Sequence, residues 1–194
     1  SSHPGDTLRL GAKLAVRGIR LIDAPVSGGV KKAAAGTLTV MVGGSSNDIA
    51  AATELIACFG TMQHVGPLGA GHAMKALNNY VSAAGLLTSM QALATAESYG
   101  ITAEKFTAVI NESTGRNNTT EVKMIPFIST RQYNSGFFVR LMAKDVSIAS
   151  ELITKAGFDS PVTPALNSYL AEALETLGHD ADHTGLYEMV NPTP

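Results

Sequence analysis

Lys75 and Asn79 lie four residues apart, so a helix would stack them on one face, with Gly71 before them and Ser82 after them in the same row. A lone lysine in an apolar helix ordinarily snorkels to solvent. Lys75, however, is followed by Asn78 and Asn79, residue types that cost a helix interior roughly 0.5 kcal/mol each relative to Ala. That pairing predicts a polar pocket, and a desolvated amine gives up its proton more readily, which suits it to exchange a proton with a hydroxyl. A second candidate is Ser27, Gly28 and Gly29, directly after the apolar stretch IRLIDAPV. Paired glycines let successive N–H groups converge on a carboxylate or phosphate. A plain loop in which they supply only unusual dihedrals is the alternative. Lys144 and Asp145 interrupt the apolar run LMAKDVSIA, where the plain reading is a surface ion pair worth well under 1 kcal/mol.

Other features carry less. Gly69, Ala70 and Gly71 open a helix and partly match G-x-G-x-x-G, but the sixth position is Met74, and no acidic residue ends a following strand. The segment is therefore not read as a nucleotide site, and its glycines are expected to let the helix start lie close to another backbone or a ligand. NESTGRNN, 111–118, reads as an ordinary polar helix exit. His3, His64, His72, His179 and His183 show no metal-ligand spacing, so no metal is expected.

The elements that must position these residues change character along the chain. A helix is predicted over 4–18, from Pro4 to a stop at Gly18, then a buried strand over Ile19–Ala24 ended by Pro25. A short helical turn (VKKAAAG), a strand over 37–42, a helix capped by Asn47 or Ser46 and running through Ala57, and a short strand over 61–65 follow. Alternating strands and helices predict an α/β sheet. Past Gly66 only helices are expected, over about 71–99, 102–112, 119–130, 138–156 and 163–177. The fold class is thus an α/β remnant of about three strands followed by an all-α domain, with residues 1–67 and 68–194 as the two parts. So small a sheet leaves exposed edges, which predicts that part of a larger sheet precedes this sequence.

The 194 residues suffice for one domain or one and a half small ones, and 45% apolar residues allow a substantial core. A net charge of -2 with no run of like charges gives no reason to expect nucleic acid or an anionic membrane as a partner. Residues 76–96 form 21 uncharged positions, but Asn78, Asn79, Ser82, Thr88, Ser89, Gln91 and Thr95 are too many polar groups to face lipid. Burial among helices or between subunits is expected instead, with the small residues of 83–96 at a tight interface. The single cysteine, Cys58, forbids an internal disulfide and suits a reducing, cytoplasmic location.

Taken in order, DAPVSGG, GAGHAMKALNN and LMAKD resemble the β-hydroxyacid dehydrogenase family, which includes 3-hydroxyisobutyrate, tartronate semialdehyde and 6-phosphogluconate dehydrogenases. The resemblance covers nearly the whole chain. It implies an N-terminal Rossmann domain that binds NAD or NADP, and an all-helical C-terminal domain that supplies the catalytic lysine and the contacts of a homodimer or larger assembly. It also implies that Ser27, Gly28 and Gly29 hold the carboxylate of a small hydroxyacid substrate and that Lys75 is the general acid/base. Asn79 and Asn78 would orient the substrate. Lys144 looks like the lysine that approaches the nicotinamide, with Asp145 steadying it. The family's opening G-x-G-x-x-G turn has no counterpart here, so the chain corresponds to the last third of the Rossmann domain onwards, and by itself is expected to bind no cofactor and to be a silent helical assembly module. The 6-phosphogluconate enzymes place a glutamate three residues after the catalytic asparagine, where this chain has Ser82; that favours a hydroxyacid without phosphate. Imine reductases share the architecture but usually replace the lysine.

Overall fold

A computed structural model of the chain describes residues 1–158 and 160–192. They divide into two compact units, Ser1–Asn78 with Glu151–Ala156, and Asn79–Ser150 with Gly157–Pro194.

The first unit opens with α1 (Pro4–Ala15), whose N-cap His3 accepts the Gly5 N–H at 3.0 Å and whose Pro4 needs no backbone donor. Three strands follow: β1 (Val26–Ser27), β2 (Leu38–Gly43) and β3 (Gly60–Gly66), with α2 (Gly29–Ala34) between the first two and α3 (Ser46–Ala57) between the last two. The sheet order is β1-β2-β3, antiparallel then parallel. β2 is almost wholly buried, as its run Val40, Met41, Val42 requires. Ile49 and Ile56, two turns apart on α3, join Leu38, Val40 and Val42 in the core. The cap of α3 is Ser45, which accepts the Asp48 N–H, and not the expected Ser46 or Asn47, which already lie in the first turn.

The strand expected over Ile19–Ala24 does not form as such. Within that stretch only Asp23 pairs, in a single bridge with Gly43, and Ile19 is 50% exposed. The ladder resumes at Val26, because Pro25, although its carbonyl accepts from Met41 N, has no N–H to give back. Antiparallel pairing along β2 thus begins at Asp23 and is broken at the proline.

The long helix α4 (Ala70–Ser98) runs 29 residues without interruption. Its stripe of Ala83, Leu86, Met90 and Leu93 enters the core of the second unit. Around that core stand α5 (Ala103–Asn111), capped by Thr102, α6 (Asn118–Val122), α7 (Val139–Lys155), α8 (Val162–Leu177) and α9 (Tyr187–Val190). Fully burying each large side chain of this cluster is worth about 1.5–3 kcal/mol, so the expectation that 76–96 packs among helices is met. Among the described residues no helix is long and apolar enough to cross a membrane. The helix expected over 119–130 is split. α6 ends at Val122, and Met124–Ser129 is a wide π-helical turn in which Phe127 and Ile128 both donate to the Lys123 carbonyl. Pro126 lacks the donor and crowds the preceding turn, so a regular helix cannot pass through it.

Candidate active site

In the first unit Ser27 ends β1 opposite Thr39 and is half-buried, while Gly28 and Gly29 are exposed. Gly28 has φ 140° and Gly29 φ 66°, conformations that side-chain-bearing residues rarely adopt. A Cβ on Gly28 would also lie 2.8 Å from two carbons of Lys32. Sequence reasoning left open whether these glycines form a nest or a plain loop; both lie in the left-handed half of dihedral space, and the loop is open to solvent.

Lys75 and Asn78 sit half-buried on α4, and Asn79, one turn after Lys75, is 6% exposed. In the second unit Asn79 Nδ2 donates to Asp145 Oδ2 at 2.5 Å, and Lys144 Nζ lies 3.5 Å from Asp145 Oδ1. The plain reading of Lys144 and Asp145 as a surface ion pair is therefore wrong in one half. Asp145 is 3% exposed, whereas the Lys144 side chain is 44% exposed. A carboxylate buried that deeply needs charge-assisted partners to be tolerated. The tertiary structure thus brings Asn79, Lys144 and Asp145 together from positions 66 residues apart.

Sequence reasoning missed two acids, one buried and one half-buried. Asp23, in DAPVSGG, accepts the Gly69 N–H and the His72 N–H at 2.7 Å each, the first from the residue just before α4 and the second from its first turn. A carboxylate there suits the positive end of a 29-residue helix. The partial G-x-G match at 69–71 is explained accordingly. A Cβ on Gly71 would run into the Met41 carbonyl and come within 2.8 Å of Asp23 Oδ2, so the glycine is there for close backbone approach. The signal was an aspartate inside the apolar run IRLIDAP, since a buried charge demands partners.

Asp182 is the second, in the other unit. It caps the 3-10 turn His183–Leu186, accepting from Thr184 N at 2.9 Å and Thr184 Oγ1 at 2.6 Å, and it also receives Ser135 Oγ, Gly136 N and Phe137 N. Burial opposes its ionisation, but the hydrogen bonds from His183, Thr184 and Ser135 outweigh burial and hold its carboxyl well below the usual range. Lys123 is the counterpart: burial pushes its amine down to about 8, and the Asp182 charge only partly restores it. Among the described residues no three His, Cys, Asp or Glu could hold a metal ion.

Comparison with known proteins gives these residues a context. Residues 69–190 match the family model described as the NAD-binding domain of NADP-dependent 3-hydroxyisobutyrate dehydrogenase, and residues 1–69 match that of the NAD binding domain of 6-phosphogluconate dehydrogenase. The chain is 34% identical over 179 residues to 2-(hydroxymethyl)glutarate dehydrogenase of Eubacterium barkeri, covering 92% of this chain and 59% of that enzyme. It is 32% identical to NAD-dependent L-serine dehydrogenase of Pseudomonas aeruginosa, over 98% of this chain and 66% of the relative. The chain therefore spans less than two thirds of either. Among solved structures, Mycobacterium tuberculosis 3-hydroxyisobutyrate dehydrogenase with L-serine superposes with a TM-score of 0.87 at 28% identity, over 97% of this chain and 67% of that one. With the two family models together covering residues 1–190 and these relatives aligned along nearly the whole chain, the chain belongs to the β-hydroxyacid dehydrogenase family of NAD(P)-dependent oxidoreductases.

Proposed function

We propose that the chain is the substrate-side part of a dehydrogenase that transfers hydride between a small β-hydroxyacid, of the 3-hydroxyisobutyrate type, and NAD or NADP. Residues 1–67 are then the C-terminal part of the nucleotide-binding domain and residues 68–194 the catalytic and assembly domain. The observation that carries this reading is the placement of Lys75 and Asn79 on successive turns of one unbroken helix, with the Asn79 amide tied to the buried Asp145 carboxylate. A catalytic group must be held in place to be effective, and this tie fixes one amide hydrogen of Asn79 before substrate arrives. Ser82, where a glutamate would suit 6-phosphogluconate, supports a substrate without phosphate.

Ser27 and the N–H groups of Gly28 and Gly29 hold the substrate carboxylate, and Asn79 with Asn78 orients the hydroxyl. The unprotonated Lys75 Nζ takes the hydroxyl proton as the carbon-bound hydrogen leaves as hydride; in the reverse direction the ammonium returns it. The nicotinamide would supply the hydride acceptor when bound, and Lys144, steadied by Asp145, would be the residue that holds that end of the cofactor. The dinucleotide phosphates find no helix N-terminus at Gly69–Gly71, because Asp23 already takes the N–H groups of Gly69 and His72. The 194 residues alone accordingly bind NAD(P)H negligibly and do not turn over; micromolar affinity by calorimetric titration would overturn that part. In the enzyme joined to its complete nucleotide-binding domain, Lys75→Ala lowers kcat about 10²- to 10⁴-fold with little change in cofactor affinity. Undiminished turnover of short β-hydroxyacids by that variant would refute the assignment.

A further inference from the structure

We propose that Asp23 is a positioning residue for this reaction, an inference that rests on the reading just given. Its carboxylate makes the SGG loop and the start of the lysine-bearing helix one piece. The side chain is wholly buried, and its two oxygens are shared out: Oδ1 receives Gly69 N–H and Oδ2 receives His72 N–H, each at 2.7 Å. Its backbone is equally committed, since Asp23 N donates to the Gly43 carbonyl at 3.0 Å and Gly43 N donates back at 2.8 Å. Asp23 is thereby fixed to β2 on one side and to α4 on the other. Four residues after it comes Ser27, and three residues after His72 comes Lys75. The separation between the carboxylate-holding loop and the proton-exchanging amine is set through this one side chain.

The surroundings are shaped to admit it. A Cβ on Gly43 would run into Asp23 Oδ1 and lie 2.7 Å from the Pro67 carbonyl, and one on Gly71 would lie 2.8 Å from Asp23 Oδ2. His72 braces the clamp from outside: its Nδ1 meets Thr7 Oγ1 at 2.8 Å and Asp23 Oδ2 at 3.5 Å. The grouping of Thr7, His72 and Asp23 has the residue types of a nucleophile, base and acid. A relay, however, needs its two partners on opposite ring nitrogens, and here both meet Nδ1. The cluster is a structural clamp, and what it serves is Lys75 on the next turn. A displacement of a reacting group by about 1 Å costs on the order of 10²-fold in rate.

The test uses the enzyme with its complete nucleotide-binding domain. Asp23→Asn keeps the size of the side chain but turns one acceptor into a donor facing another donor. The expected result is a kcat per folded enzyme lowered about 10- to 100-fold, a raised KM for the hydroxyacid, an unchanged KM for the cofactor, and faster hydrogen exchange at the Gly69 and His72 amides. Loss of stability alone would reduce the amount of active enzyme and leave both KM values where they were. Should Asp23→Asn not fold, Asp23→Ser, which keeps one acceptor at the helix end, carries the same measurements. Wild-type kcat and KM in the Asp23 variant, beside a Lys75→Ala variant that has lost activity, would overturn the clamp and leave the general acid/base in place. An active Lys75→Ala variant would overturn the reading of the reaction, and this inference with it.

Discussion

Replacing Lys123 by methionine should stabilise the protein at neutral pH and do so with a distinctive pH signature. Lys123 is half-buried where α6 gives way to the π-helical turn. Burial lowers its amine from 10.5 to about 8, with Asp182 opposing. Each unit of such a shift corresponds to about 1.4 kcal/mol, so keeping the amine charged in the folded state costs about 3 kcal/mol relative to the unfolded chain. Because the folded value is the lower one, this penalty is complete below pH 8. It is relieved as pH rises from about 8 to 10.5, where only the unfolded chain still holds the proton, and it is absent above. Methionine is similar in length, flexible and uncharged, so it fills the same space without the penalty. Urea unfolding followed by circular dichroism at pH 7, 8, 9 and 10 should show Lys123→Met more stable than wild type by about 2–3 kcal/mol at pH 7, with the gap narrowing across the higher values. A gap that stays constant with pH, or a variant less stable at pH 7, would refute the account of a desolvated amine.

Asp182 should behave in the opposite sense. Its folded value is depressed, so its contribution is present above the unfolded value near 4 and is lost as pH falls further. Asp182→Asn is expected to lower stability at pH 7 by about 2 kcal/mol or more, given the N–H groups of Gly136, Phe137 and Thr184 it disturbs. The difference from wild type should shrink in urea titrations below pH 4, and a difference unchanged down to pH 2 would contradict it. Gly71→Ala should cost about 2 kcal/mol or more, since the added methyl meets the Met41 carbonyl, which belongs to the buried strand β2. A thermal unfolding midpoint equal to wild type would show that the two backbones are not in close approach.

The arrangement of α4 explains why one helix can serve both packing and chemistry. Its N-terminal turn is anchored by Asp23, its next turns carry Lys75, Asn78 and Asn79, and its remaining length contributes Leu86, Met90 and Leu93 to a core. The polar residues that make it an unfavourable membrane segment are accounted for in part by local and long-range bonds. Thr88 and Thr95 donate to carbonyls within the helix, and Ser89 accepts from Asn117 Nδ2 at 3.0 Å. Asn117 belongs to the segment read from sequence as an ordinary polar helix exit, yet it also builds the capping box of α6 with Thr120.

By itself the sequence determined the features governed by neighbours along the chain. Pro4 and Gly18 delimit α1 and its terminal turn, and Thr102 caps α5, because capping and left-handed conformations depend on a few adjacent residues. The row of Lys75 and Asn79 follows from helical spacing, and the three motifs led to the family through their order alone. The tertiary structure decided the partners of the buried charges. Asp23 finds its donors 46 and 49 residues away, and Asp145 receives Asn79 across 66. No periodicity encodes such pairings. A buried carboxylate announces only that it needs donors, and the fold selects which donors reach it. The same holds for Pro25, whose missing N–H became consequential only once β2 lay beside it, leaving the first strand at Val26–Ser27.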